Sequence, residues 1–189
     1  MTPSNYGEII TELQMMPDEV EYMTSFLKSQ PNNIQMVEWG SGGSTCKWLE
    51  LLNDTQNLIS IEHNVDWYNK VSFAIHQHFG DVSNRFQYLF VEPDHKDLYT
   101  HGYGGIEEDH PIGLRRYINP TKGVYDSDIY YIDGIGRGIC ALTILCKHTK
   151  TNPTIFMHDY VYRQPLYDWV TQFFHVEIVG HTLAKFTIK

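Results

Sequence analysis

Short apolar runs alternate with amphipathic stretches along most of the chain. Five of these runs predict β-strands, at residues 35–39, 58–62, 86–91, 128–132 and 154–157. The stretches between them have apolar residues at helical spacing and predict helices from the turn after residue 39 to about Leu52, at 66–79, 137–147 and 164–174, and before the first strand at about 18–29. Strands that alternate with helices of about 10–14 residues are typical of a parallel sheet covered on both faces.

The last two apolar runs, at 176–179 and 183–188, are separated only by the residues around Gly180. A connection this short cannot make the crossover that joins parallel strands, so one of the two strands must run antiparallel. We therefore predict an α/β fold, a three-layer α/β/α sandwich. Its sheet is seven-stranded, mostly parallel and Rossmann-like, with a C-terminal antiparallel hairpin.

The whole chain, 1–189, is predicted to form a single domain, since 189 residues suffice for one sizeable core. Residues 94–127 have no sustained period and are rich in glycine, proline and tyrosine. Loops of this length are usually functional or disordered, and the four tyrosines of this one argue against disorder. We predict that this segment is an insertion that covers a ligand cleft as a lid. The alternative is a surface insertion packed on its own aromatic side chains.

The amino-acid composition limits the classes of molecule that the protein can bind. The net charge is −9, which argues against a general nucleic-acid surface or an anionic membrane surface as partner. No apolar run approaches the ~18 residues of a membrane span. The three cysteines have no paired spacing and are predicted to be free thiols in a reducing compartment, so a cytoplasmic location is expected.

The strand ends contain the candidate chemistry. Gly40 and Gly42 follow the first strand and open a helix, so a ligand can approach the backbone closely and meet free helix N–H groups. Glu62 ends the second strand, 22 residues after Gly40, where a carboxylate can accept hydrogen bonds from ribose hydroxyls. This pair predicts a nucleoside-containing cofactor. The alternative is an ordinary strand–helix turn beside a solvated glutamate.

The details of the turn favour one cofactor. Thr45 stands where a dinucleotide fingerprint has its third glycine, and no Tyr-x-x-x-Lys dyad occurs in the chain. The pattern Glu-x-Gly-x-Gly, beginning at Glu38, resembles motif I of class I S-adenosylmethionine (SAM)-dependent methyltransferases.

The resemblance implies SAM as cofactor, with Glu38 orienting its amino-acid part, Glu62 holding the ribose and His63 beside the adenine. The cofactor-binding residues it implies are Glu38, Gly40, Ser41, Gly42, Ser44, Thr45, Glu62, His63 and Asp133.

A narrower resemblance lies in the second half. Asp133-Gly134-x-Gly136-Arg137-Gly138 and the later His158-Asp159 pair look like motifs of the glucuronoxylan-type polysaccharide O-methyltransferases. The first-half turn is richer in glycine and serine than in that family, so the likeness concerns the acceptor side. It implies methyl transfer to a hydroxyl of a carbohydrate acceptor, a glycan or sugar.

A sugar hydroxyl is barely acidic, so a base or a cation must help to remove its proton. We predict that Asp133 and His158 are the catalytic residues, with His158 as the base and Asp133 orienting it or taking the proton itself. Asp133 and Asp159 could also hold a divalent metal ion through oxygen ligands. The remaining predicted substrate contacts are Arg137, Asp159, Arg163 and Tyr103.

Other interpretations remain open at this stage. His158-Asp159 can simply cap the following helix, and Arg137 can be a surface arginine. The acceptor can be a small phenol or another small-molecule hydroxyl, with an essential metal ion. A non-catalytic binding module with a methyltransferase-like fold is a further alternative.

Overall fold

A computed structural model describes residues 13–94, 113–120 and 122–189. Its helices are α1 (Pro17–Lys28), α2 (Gly43–Leu51), α3 (Val65–Phe79), α4 (Arg137–Lys147) and α5 (Tyr160–Tyr167). Its strands are β1 (Gln35–Trp39), β2 (Asn57–Glu62), β3 (Phe86–Phe90), β4 (Ile129–Ile132), β5 (Thr154–Met157), β6 (Phe174–Ile178) and β7 (Ala184–Ile188). Short 3-10 helices lie at Lys122–Tyr125 and Asp168–Gln172.

The seven strands form one sheet in the order β3-β2-β1-β4-β5-β7-β6. The first five strands pair in parallel, and β7 runs antiparallel to both β5 and β6. The strand order reverses between β1 and β4. This is the position at which open α/β sheets leave a ligand crevice beyond the carboxyl ends of their strands. The predicted mixed sheet with a terminal antiparallel hairpin is confirmed.

Two buried clusters fill the faces of the sheet because successive strand residues point to opposite sides. On one face, Trp39 and Ile132 pack with residues of α4 and α5. On the other face, Met36 and Tyr131 pack with residues of α1, α2 and α3. Glu38 shares this second face and comes to lie beneath the start of α2. None of the helices among the described residues has the length and apolar character that a membrane span needs.

The predicted helix at 164–174 is wrong in both its bounds. Tyr167, Val170 and Phe174 are at helical spacing and all three are buried. They nevertheless belong to three different elements: α5, a 3-10 helix and β6, respectively. Helix α5 begins earlier because Asp159 adopts a left-handed conformation, with φ 54°, and turns the chain directly after β5. The other predicted bounds agree with the structure to within two residues.

Part of the predicted lid, including Tyr103, lies outside the described residues, so that prediction stays untested. The described residues at the end of the segment, 113–120 and 122–127, pack into the core and do not lie on top of it. Leu114, Tyr117, Val124 and Tyr125 are all buried there. These side chains pack with core residues such as Trp39 and Ile132, so the described part of the segment is not a surface insertion packed on its own aromatic side chains.

Candidate active site

The turn after β1 requires glycine at its first position. Gly40 has φ 87°, a left-handed conformation that side chains rarely adopt. A Cβ at Gly40 would overlap the backbone of Gly134, which follows β4. The N–H of Gly40 donates to Ile61 O at 2.9 Å. Gly40 therefore lets the ends of β1 and β4 meet at the point where the strand order reverses.

Glu38 lies beneath this turn and is completely buried. Its carboxylate accepts hydrogen bonds from Ser44 Oγ, Thr45 Oγ1 and Ser60 Oγ, each at 2.6 Å, and from Trp48 Nε1 at 3.0 Å. Burial raises the pKa of Glu38 to about 7, against the opposing effect of the three hydroxyl donors. All of these contacts are internal, so in this structure Glu38 shapes the turn from below and does not reach the space above it.

Thr45 occupies the position of the third glycine of a dinucleotide fingerprint, and its side chain has a structural role there. Its hydroxyl accepts from the N–H of Gly42 at 2.9 Å and donates to Glu38. The side chain is fully buried and closes the turn onto the first residues of α2. Thr45 is therefore a structural part of the turn, and Ser41 and Gly42 border the open space above it.

Glu62 stands at the end of β2 and faces the same turn. It accepts from Ser41 N at 3.2 Å and Ser41 Oγ at 2.9 Å with one oxygen, and from the N–H groups of His63 and Asn64 at 2.8 Å with the other. Burial opposes ionisation, but hydrogen bonds and the nearby His63 lower the pKa of Glu62 below its usual value. A charged carboxylate is thus held directly beside the glycine turn.

A cavity of about 210 Å³ opens above the turn. Its lining residues are Leu13, Gln14, Met15, Ser41, Gly42, Gly43, Ser44, Trp67 and Asp133. The indole of Trp67 donates to Ser41 O at 2.6 Å, and its ring lies 3.7 Å from the position of a Cβ on Gly42. Four of the predicted cofactor residues, Ser41, Gly42, Ser44 and Asp133, therefore border one cavity.

His158 lies between two carboxylates. Its Nδ1 is 2.8 Å from Asp133 Oδ1, and its Nε2 is 3.4 Å from Glu19 Oε2. Burial opposes protonation, but the hydrogen bond and charge of Asp133, with the charges of Asp159 and Glu19, raise the pKa of His158. Both ring nitrogens face acceptors, so the geometry favours an imidazolium. This conflicts with the predicted role of His158 as the base, because an imidazolium has no lone pair to take a proton.

Arg137, at the start of α4, is only 4% exposed, so the alternative of a surface arginine is wrong. Its guanidinium donates to Gly134 O at 2.9 Å, to Asp133 O at 3.0 Å and to His158 O. It also lies 3.4 Å from the Asp133 carboxylate and 3.3 Å from that of Asp159. The fork therefore joins the ends of β4 and β5, and does not project toward an acceptor as the sequence predicted.

Asp159 occupies the N-cap position of α5, but its side chain makes no capping hydrogen bond. Instead it pairs with Arg137 and, at 3.7 Å, with Arg163. The side chains of Asp159 and Arg163 are 29% and 25% exposed, so both reach the protein surface in part. The predicted substrate contacts Asp159 and Arg163 thus lie side by side.

Potential metal ligands converge at this point. Ligand atoms of Asp133, His158 and Asp159 all lie within 4.8 Å of one another. However, the Arg137 guanidinium contacts both carboxylates and His158 is bonded to Asp133. The negative charge that a divalent cation would need is already balanced, so the donor set as arranged here does not fit the predicted metal ion.

Three side chains at the site were not predicted from the sequence: Glu19, Trp67 and Tyr117. Glu19 is completely buried and accepts from Thr182 Oγ1 at 2.6 Å and Met16 N at 3.0 Å. It approaches His158 from a helix at the other end of the chain, so no local pattern could reveal it. Trp67 could have been found from the sequence. Glu62, the acid predicted to hold the ribose, is followed by Asn64, the N-cap of α3, and Trp67 lies in the first turn of that helix.

No protein-family model matches the sequence, and no curated protein matches it. Solved structures do match. A methyltransferase-like protein from Silicibacter pomeroyi is 22% identical, with a TM-score of 0.73 over 94% of this chain and 88% of that one. A Podospora anserina methyltransferase bound to S-adenosylhomocysteine (SAH) is 13% identical, with a TM-score of 0.63 over 97% and 86%.

An O-methyltransferase from Bacillus cereus, in complex with SAH, is 11% identical, with a TM-score of 0.63 over 93% of this chain and 83% of that one. At these identities the likeness concerns the fold. The chain therefore has the Rossmann-like α/β fold of these methyltransferase structures along nearly its whole length.

Proposed function

We propose that this protein is a SAM-dependent O-methyltransferase, and that its acceptor is a hydroxyl of a carbohydrate. The single observation on which the proposal rests is the cavity between the glycine turn and Asp133, with Glu62 held charged beside the same turn. Two of the similar structures, from Podospora anserina and Bacillus cereus, are bound to SAH, which agrees with this choice of cofactor.

The described residues fit the cofactor in three respects. Backbone N–H groups at the start of α2 can receive its carboxylate, as helix N-termini receive anions. Glu62 is an acceptor for the ribose hydroxyls once Ser41 yields one of its two hydrogen bonds. At about 210 Å³ the cavity is smaller than the ~300–1,000 Å³ of typical ligand pockets, which suits the amino-acid part of the cofactor.

SAM, when bound, supplies a methyl group on an electrophilic sulfonium, so the enzyme's main task is alignment of the acceptor oxygen. Asp133 borders the cavity and is our candidate for accepting the hydroxyl proton. His158 and Arg137 hold the Asp133 carboxylate from two sides, at 2.8 Å and 3.4 Å. We assign both a positioning role, and His158 is no longer our candidate for the base.

The carbohydrate assignment rests on the sequence motifs and on the paired Asp159 and Arg163, since Asp159 lies close to Asp133 and His158. A carboxylate and a guanidinium side by side offer both acceptors and donors, which is what a polyhydroxylated ligand needs. A metal-dependent phenol acceptor receives less support, because Arg137 already neutralises the carboxylates that would hold the metal.

Calorimetric titration with SAM, SAH and NAD tests the cofactor. We expect SAM and SAH to bind and NAD not to bind, and we expect Glu62→Ala to weaken SAH by at least tenfold. Binding of NAD alone would refute the proposal. Mass-shift assays on a glycan panel then test the acceptor, with Asp133→Asn expected to lose methyl transfer. Activity on catechols that chelation abolishes would favour the phenol alternative.

A further inference from the structure

The hydroxyl of Tyr117 is buried and has no hydrogen-bond partner among the described residues. The residue is completely buried, and its ring contacts His63 edge-on, with 5.3 Å between ring centroids. Burial raises the pKa of Tyr117 well above its usual value, so the hydroxyl keeps its proton. Buried polar groups are paired in most proteins, so this hydroxyl needs an explanation.

The hydroxyl lies at the reversal of strand order. It touches Gly134, where an added Cβ would overlap it, and Gly134 in turn packs against Gly40. Glu62, Arg137 and Asp133 are all close enough to influence the ionisation of Tyr117. The hydroxyl therefore lies where the turn after β4, at Gly134, meets the turn after β1, at Gly40.

The position of Tyr117 is fixed by its backbone. Its carbonyl accepts from the Trp39 indole at 3.1 Å, and the next residue, Ile118, donates to Leu114 O at 2.8 Å. The Trp39 indole thus ties the segment 113–120 to the end of β1, and the bond between Ile118 and Leu114 closes a turn within the segment. The unpaired hydroxyl is built into the site, and it is not the tip of a loosely held surface side chain.

We propose that the Tyr117 hydroxyl is a binding group for the adenosine part of the cofactor. The inference rests on the proposed function, because it presupposes SAM. A phenolic hydroxyl can donate to a ring nitrogen or ribose oxygen of adenosine, or accept from its amino group. His63, which directly follows the proposed ribose acid Glu62, contacts the same ring. Binding would give the hydroxyl the partner that it lacks.

Tyr117→Phe tests the proposal because it removes the hydroxyl and keeps the ring. The ligands are SAH, 5′-methylthioadenosine, which has the adenosine part alone, and methionine. We expect SAH and 5′-methylthioadenosine to bind about 5–15-fold more weakly, as for the loss of one buried hydrogen bond, with methionine unaffected. The ligand-free variant should melt no lower than the wild type, and up to about 2–4 °C higher, because an unpaired hydroxyl has been removed.

Tyr125→Phe is the matched control. The hydroxyl of Tyr125 donates to Ile118 O in the same segment, so its loss should lower the Tm and leave the affinity for SAH within about twofold. An unchanged affinity in Tyr117→Phe would overturn the inference, as for a hydroxyl that only holds a trapped water. Equal weakening by Tyr125→Phe would also overturn it, by showing an effect of the segment as a whole. Failure of the wild type to bind SAH at all would instead refute the proposed function.

Discussion

Glu19 and Asp133 hold His158 between them, with Glu19 Oε2 at 3.4 Å from Nε2 and Asp133 Oδ1 at 2.8 Å from Nδ1. Glu19 lies in α1, His158 follows β5 and Asp133 follows β4. One buried network of charges therefore joins the N-terminal helix to the edge of the sheet that we propose as the active site.

Loss of Glu19 should destabilise the protein strongly. Glu19→Ala removes the acceptor of Thr182 and Met16 and leaves Nε2 of the His158 imidazolium without its carboxylate. We expect the free energy of unfolding to fall by about 3–5 kcal/mol, as for other broken buried ion pairs. Urea denaturation measures it. Glu21→Ala, an exposed residue of the same helix, should change it by less than about 0.5 kcal/mol.

The raised pKa of His158 predicts a pH-dependent stability. Because its pKa is higher in the folded state, its contribution is fully present below the unfolded value of about 6.5 and is lost as pH rises through the folded pKa. We expect the difference in unfolding free energy between wild type and His158→Gln to be largest near pH 6 and to shrink toward pH 9. Denaturation curves across this range test it. A difference that grows with pH would contradict the assigned charge state.

Arg137 should behave as a buried clamp. Arg137→Ala leaves the carbonyls of Asp133 and Gly134 without their donor, and we expect a loss of about 3–5 kcal/mol. Arg137→Lys should recover little, since an ammonium cannot reproduce the planar fork. Arg163→Ala is the control. Arg163 also pairs with Asp159 but is 25% exposed, so its loss should cost about 1 kcal/mol or less.

A comparison of Gly40 with Gly80 separates the cost of a steric overlap from the cost of backbone strain. Gly40 and Gly80 both have positive φ, 87° and 67°, but a Cβ at Gly80 meets no atom within 4 Å. Gly80→Ala should therefore show only the strain, about 1–2 kcal/mol. Gly40→Ala adds the overlap with Gly134 and should cost clearly more, with weaker SAH binding in that variant alone. Equal losses in the two variants would refute the structural role assigned to Gly40.

The local part of the site was predictable from sequence. The turn at Gly40 and the acid at Glu62 lie within one β-α-β unit, where spacing along the chain fixes spacing in the fold. Glu19 and Tyr117 were not predictable, because each meets the site only through the packing of distant segments. The interior position of Arg137 was also missed, since a sequence does not reveal that three carbonyl oxygens and two carboxylates will surround one guanidinium. The predicted bounds of α5 were wrong because Tyr167 and Phe174 are at helical spacing, although the chain between them passes from α5 through a 3-10 helix into β6.

Trp67 gives the protein a built-in optical reporter. The chain has four tryptophans; Trp39 and Trp48 are completely buried in the core, and Trp169 is 38% exposed. Only Trp67 both lines the cavity and bonds to the turn, through Ser41 O. A ligand that enters beside Gly42 must alter the surroundings of this indole. Its emission should therefore follow occupancy of the cavity directly, without any label, and Trp67→Phe should abolish that signal while the other three tryptophans still report unfolding.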